Sequence, residues 1–266
     1  MRTLVAIPVY NEQAYVQRVL EEVRRHAQDV LVIDDGSTDN TPLLLARQPV
    51  EVIRHARNRG YGQSLIDAFR WAQCYGYEWL ITMDCDEQHE PANLPAFHDA
   101  ARYDPRRPDV VSGSRYLDRT QCGDPPPPDR RSINALITDM VNRRLGLTIT
   151  DAFCGFKAYR VKTLKNLTLD ERGYAFPLQF WVQAAASGLT VIEIPVRLIY
   201  KDANRSFGGH LDDPDHRLAH YQQVFKAELA KFPDKFSDAL CATCTTGGPI
   251  DDFENNAFPA VARSTR

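Results

Sequence analysis

WLITMDCDEQHEP, residues 79 to 91, carries an apolar run straight into Asp84-Cys85-Asp86, followed by Gln88, His89 and Pro91. A short apolar run bounded by turn residues reads as a strand covered on both faces. The same grammar recurs upstream, in TLVAIPV (3 to 9), DVLVID (29 to 34) and VEVIRH (50 to 55). Helical signals separate these runs. Val16, Val19, Leu20 and Val23 recur at i, i+3, i+4 and i+7, the spacing of one helix face. Thr41-Pro42 opens a second helix, with Thr41 as expected N-cap and Pro42 in its first turn. A loop with Asn58, Gly60 and Gly62 opens a third, running to about Tyr75. Strand and helix alternating in this way predict a doubly wound α/β sheet, mostly parallel, with right-handed crossovers.

The second half is less regular. VVSGSR (110 to 115), FKAYR (156 to 160) and VIEIPV (191 to 196) read as strands. Helices are expected over 131 to 145, 177 to 187 and 215 to 232. The last carries Leu218, Tyr221, Phe225, Leu229 and Phe232 on one stripe. That stripe suits packing on the core, although Arg217, Lys226 and Lys231 beside it would also suit a helix lying on a membrane. The prolines at 125 to 128 mark a loop. Residues 1 to 232 are expected to form one domain, and the polar, aperiodic segment 233 to 266 a loosely held tail.

Bulk properties narrow the function. The 266 residues carry a net charge of −3, so no whole-surface field recruits nucleic acid. Met1-Arg2-Thr3 leads directly into a strand pattern, so no targeting segment is expected. No apolar stretch reaches the 18 or more residues of a membrane span. Six scattered cysteines are no disulfide framework and point to a reducing, cytoplasmic location. Cys241 and Cys244 form a lone CxxC that lacks the further ligands of a zinc site.

In open α/β sheets, ligands bind beyond the carboxyl ends of the strands. Those ends here carry Pro8-Val9-Tyr10-Asn11-Glu12, Asp34-Asp35-Gly36-Ser37, Arg57-Asn58-Arg59-Gly60 and Asp84-Cys85-Asp86. No GxGxxG or GxxxxGK[ST] follows the first strand, so neither a dinucleotide fingerprint nor a P-loop is indicated. Phosphates at this edge would be neutralised through a cation on Asp84 and Asp86, which suit Mg²⁺ or Mn²⁺. Two carboxylates at ~5 Å repel by about 3 kcal/mol at an effective dielectric of 20, a cost that a cation removes. An isolated DxD is also a common solvated turn.

Taken in order, PVYNE, DDGS, the N-x-G-x-G loop, DCDEQHEP, GSRY (113 to 116) and CGFKAYR (154 to 160) resemble family-2 glycosyltransferases of the GT-A fold. The resemblance covers roughly residues 1 to 205 and is strongest to the dolichol-phosphate mannosyltransferase and polyprenyl-phosphate glycosyltransferase branch. It implies an inverting, metal-dependent transfer of a hexose, of mannose or glucose type, from a GDP- or UDP-sugar to a lipid phosphate. By position, Pro8, Tyr10 and Glu12 would hold the nucleoside, with Tyr10 stacked on the base. Asp35 would bind base or ribose, and Asn58, Gly60 and Cys85 complete the nucleotide-sugar set. Asp84, Asp86 and Gln88 would hold the cation. Arg115, Arg131 and Lys157 would contact phosphate, Lys157 standing where the family often has Arg.

Arg205 is the expected acceptor-phosphate contact. Around it the branch pattern D-R-x-x-G-x-S-K survives only in Arg205 and Gly208. A lipid-phosphate acceptor is already an anionic nucleophile. A saccharide or protein hydroxyl would need a base, for which Asp151 is the candidate, a turn or cap residue being its alternative role. Many relatives carry C-terminal membrane helices and this sequence carries none, so contact at the inner face of a membrane would be peripheral. A sugar-phosphate nucleotidyltransferase would carry a Gly-rich basic loop where PVYNE stands. A non-catalytic nucleotide-sugar binder would have no need of two repelling acids.

Overall fold

A computed structural model describes residues 1–118, 127–199 and 208–236. Among the described residues, seven strands make one sheet: β1 Thr3–Val9, β2 Asp29–Asp34, β3 Glu51–Arg54, β4 Trp79–Thr82, β5 Val110–Ser114, β6 Lys157–Arg160 and β7 Val191–Pro195. Their spatial order is β3-β2-β1-β4-β6-β5-β7. Every pairing is parallel except those of β6, which runs antiparallel to both β4 and β5. The expected mostly parallel α/β sheet is therefore present, and its reversed strand sits near the middle.

Helices cover both faces: α1 Val16–Val23, α2 Thr41–Leu45, α3 Tyr61–Cys74, α4 Leu94–Tyr103, α5 Pro128–Leu145, α6 Val161–Leu164, α7 Phe176–Ala186 and α8 Pro214–Leu229. Alternation along each strand splits the core in two. Leu4, Ala6, Leu31, Ile33, Leu80 and Tyr159 face α3, α5, α7 and α8, around Phe69, Ile137, Trp181 and Phe225. Val5, Ile7, Val32, Ile81 and Ala158 face α1 and α4, around Leu20 and Phe97. Phe97 stacks on Phe156 with ring centroids 4.1 Å apart.

Several boundaries differ from expectation. Asn40, not Thr41, occupies the N-cap position of α2, without a side-chain capping hydrogen bond, and Thr41 is the first helical residue. Pro128, the last of the four prolines, begins α5, where proline's fixed φ is compatible with a first turn. Helix α4 was not expected, because Pro95, His98 and Asp99 interrupt its pattern; it buries only Leu94, Phe97 and Ala101. In α8, Tyr221, Phe225 and Leu229 are buried in the core. The stripe thus packs inward, and the membrane-lying alternative is set aside. No helix among the described residues is long and apolar enough to cross a membrane. Arg205 and the CxxC at Cys241 and Cys244 lie outside the described residues.

Candidate active site

The carboxyl ends of β1, β2 and β4 open on a cavity of about 900 Å³. Pro8, Tyr10, Glu12, Asp35, Asn58, Gly60, Asp84, Cys85, Asp86, Gln88 and Arg115 all line it. The opposite wall comes from α5, α7 and α8 and the turn before α7, with Arg130, Asn134, Tyr174, Arg217 and Tyr221.

The first turn is tied to the second. Asn11 adopts φ 57°; its side-chain Oδ1 accepts from the Thr38 backbone N–H at 2.8 Å, and its own N–H donates to Ser37 Oγ at 2.9 Å. This bend leaves Tyr10 45% exposed beside the cavity while Glu12 is buried. The Glu12 carbonyl accepts the N–H groups of Tyr15 and Val16 and so starts α1.

Asp35 organises the third loop. Its carboxylate accepts from the N–H groups of Arg59 and Gly60, both at 2.8 Å. His55 Nδ1 lies 2.6 Å from Asp35 Oδ1, and His55 Nε2 lies 3.0 Å from Asp67 Oδ2. Gly60 has φ 101°, and a Cβ on it would stand 2.3 Å from the Arg172 carbonyl oxygen. Only glycine fits there. Asp35 thus has one evident structural duty, holding a loop that glycine makes possible.

The acidic turn follows β4. Asp84 Oδ1 accepts from the Tyr61 hydroxyl at 3.2 Å, and Asp86 Oδ1 accepts from the Gln88 N–H at 3.1 Å. Glu87 takes φ 60° and pairs with Arg18. His89 Nδ1 accepts the Asp84 backbone N–H at 2.9 Å, which places the imidazole proton on Nε2. Burial pushes His89 down to about 4, so it serves as a neutral brace for the turn. Burial, then Asp84, hold the Tyr61 hydroxyl well above its ordinary value; it stays protonated and donates. Among the described residues no cluster of three or more His, Cys, Asp or Glu could enclose a metal. Two carboxylates and an amide on one turn, facing an open cavity, fit a hard cation that completes its shell with water and phosphate oxygens.

Arg115 and Asp151 form the other charged element. Asp151 is 0% exposed. It accepts from Arg115 Nε at 2.6 Å, Arg115 Nη2 at 2.9 Å and the Arg115 N–H at 3.2 Å. Asn134 Nδ2 at 3.0 Å and the Phe153 N–H at 3.2 Å complete the set. Burial alone would raise this carboxyl, but the Arg115 guanidinium outweighs burial and holds it at about 2. A base for a hydroxyl acceptor needs a lone pair open to the substrate and an affinity for protons. Asp151 is instead the anchor of Arg115.

Two expected phosphate contacts are placed elsewhere. Lys157 is 3% exposed; it donates to the Cys154 carbonyl and lies 5.3 Å from the Trp181 ring centroid, away from the cavity lining. Arg131 is exposed on α5, and its neighbour Arg130 lines the cavity. No motif in the sequence marks Tyr61, Arg130, Tyr174, Arg217 and Tyr221 as cavity residues. Arg130 had a signal in the Arg130-Arg131 pair. Arg217 had little, since an arginine within an amphipathic helix reads as its solvated face. It is buried, donating to Asp129 Oδ2 at 2.6 Å and to the Leu211 carbonyl at 2.8 Å.

Comparison with known proteins fits this arrangement. The chain is 32% identical over 216 residues to an undecaprenyl-phosphate mannosyltransferase from Micrococcus luteus, covering 77% of this chain and 87% of that one. It is 31% identical over 207 residues to a polyprenol monophosphomannose synthase from Mycolicibacterium smegmatis, covering 73% and 76%. Among solved structures, glucosyl-3-phosphoglycerate synthase from Mycobacterium tuberculosis in complex with UDP aligns with a TM-score of 0.64 at 15% identity. That alignment covers 86% of this chain and 79% of that one, and carries the GT-A fold. The model of glycosyl transferase family 2 matches residues 4–168, a span that contains every strand end of the cavity, and the chain belongs to that family of glycosyltransferases.

Proposed function

We propose that the chain transfers a hexose, of mannose or glucose type, from a GDP- or UDP-sugar to a polyprenyl phosphate, with inversion at the anomeric carbon. The observation that carries this reading is that Asp84, Asp86 and Arg115 line one cavity. The names of the Micrococcus and Mycolicibacterium relatives support the acceptor class. Asp84, Asp86 and Gln88 would hold Mg²⁺ or Mn²⁺. Bound there, the cation supplies Lewis-acid stabilisation of charge on the departing diphosphate.

The chain's own residues do the rest. Tyr10 and Glu12 would seat the nucleoside, and Asp35 keeps Arg59 and Gly60 folded around it. Arg115, oriented by Asp151, offers fixed positive charge where phosphate oxygens gather. A phosphate acceptor attacks as an anion and needs no strong base. The full occupation of Asp151 by Arg115, Asn134 and Phe153 therefore favours it over a hydroxyl acceptor. Contact with the membrane would be peripheral, at its cytoplasmic face, and made by surfaces other than the α8 stripe.

The test is transfer of label from GDP-mannose or UDP-glucose to polyprenyl phosphate with Mn²⁺, counted in the organic phase. Label from one donor, absent in Asp84→Asn and Asp86→Asn, supports the reading. Metal-dependent nucleotide binding with no label from any donor would remove the lipid acceptor.

A further inference from the structure

One donor to the Asp84 carboxylate comes from a different part of the chain. Tyr61 is the first residue of α3, and its hydroxyl donates to Asp84 Oδ1 at 3.2 Å. The ring has little freedom. Tyr174 stacks on it at 5.8 Å between centroids and 12° between planes. Its backbone follows Gly60, whose N–H is bound to Asp35. The next residue, Gly62, sits so close to the loop before α7 that a Cβ would stand 2.3 Å from the Glu171 carbonyl oxygen. From the far side, Gly155 leaves the space that both partners occupy. A Cβ there would stand 2.6 Å from Asp84 Oδ2 and 2.8 Å from the Tyr61 hydroxyl oxygen. Two separate segments thus meet at one carboxylate, and a third backs the tyrosine that reaches it.

We propose that Tyr61, backed by Tyr174 and given room by Gly155, is a positioning residue that presets Asp84 for a divalent cation. This rests on the reading of Asp84 as a metal ligand. A hydroxyl donated to one carboxylate oxygen fixes the carboxylate plane and offsets part of its repulsion from Asp86 before a cation arrives. Hydrogen bonds of this kind to a ligating carboxylate are typically worth about tenfold to a hundredfold in metal affinity.

The experiment is Mn²⁺ titration followed by the electron paramagnetic resonance signal of the free ion, with and without UDP or GDP. It compares the parent protein, Tyr61→Phe, Tyr174→Leu and Asp84→Asn. Tyr61→Phe keeps the ring and its stack and should weaken Mn²⁺ binding by about tenfold to a hundredfold, with a metal-free melting temperature lowered by no more than a few degrees. Tyr174→Leu keeps the hydroxyl but frees the ring and should give a smaller loss. A Tyr61→Phe protein that binds Mn²⁺ as the parent does, while Asp84→Asn does not, overturns the positioning role and leaves the metal site standing. A parent protein that binds no Mn²⁺ even with nucleotide overturns the metal reading, and the inference with it.

Discussion

Arg115 and Asp151 meet fork to fork, with Nε 2.6 Å from Oδ2 and Nη2 2.9 Å from Oδ1, and the carboxylate is sealed from solvent. Removing the Asp151 charge leaves the Arg115 guanidinium, only 14% exposed at the cavity edge, without its counter-ion. Asp151→Asn should therefore destabilise the protein by about 3–5 kcal/mol, measured by urea denaturation. A catalytic base would behave differently, losing turnover while stability held.

The same pair sets an acid limit. Asp151 stands at about 2 in the folded protein against an ordinary 3.8. A lowered carboxyl contributes stability that is fully present above the unfolded value and is lost as pH falls through the folded one. The parent should lose on the order of 2 kcal/mol through Asp151 as pH falls from about 4 to about 2. The difference between parent and Asp151→Asn in denaturation midpoints should shrink over that window.

Gly155→Ala tests the crowding around Asp84. The new methyl would lie 2.6 Å from Asp84 Oδ2, so the acid or β6 must shift. Because a carboxylate at the cavity edge yields more easily than a central strand, transfer should fall by on the order of a hundredfold. Circular dichroism should stay native. Full activity would mean that Asp84 tolerates displacement.

Glu228 probes the support behind Tyr174. It is buried and accepts from Gln179 Nε2 at 2.9 Å and Gln183 Nε2 at 2.5 Å. Gln179 Oε1 in turn accepts the N–H groups of Asp170 and Glu171. Glu228→Ala takes one hydrogen bond from each amide, leaving them Asp170 Oδ1 and the Thr168 carbonyl, and removes the ion pair with Lys231; it should cost on the order of 2 kcal/mol. Hydrogen exchange should quicken first at Asp170 and Glu171.

The parallel strands were legible because each is a short apolar run ending in turn-forming polar residues, and those ends hold most of the cavity residues. What could not be read was direction and face. FKAYR reads as a strand either way round. The antiparallel register Thr82↔Lys157 goes with Lys157 beneath Trp181 instead of at the phosphates. A one-residue step along a helix turns a side chain by about 100°, which is enough to exchange Arg131 for Arg130. In the sequence Asp151 stands as a lone acid, and its role depends on Arg115, a partner that only the folded chain brings near. Helix α4 did have a trace, Leu94, Phe97 and Ala101 at i, i+3 and i+7, masked by the polar residues between them.

The reversed strand β6 has a consequence for how the molecule is made. Thr82 meets Gly155 across it, the threonine hydroxyl donating to the glycine carbonyl 73 residues away in the chain. Loop closure over such a distance is slow compared with local pairing. During synthesis the β1–β4 portion emerges with the outer edge of β4 unpaired, an open template for another chain. The centre of the sheet closes only when β6 arrives, so Gly155 joins Asp84 late. Substitutions that weaken β6 should then show themselves first as poor yield and aggregation, before any change in the finished enzyme is measured.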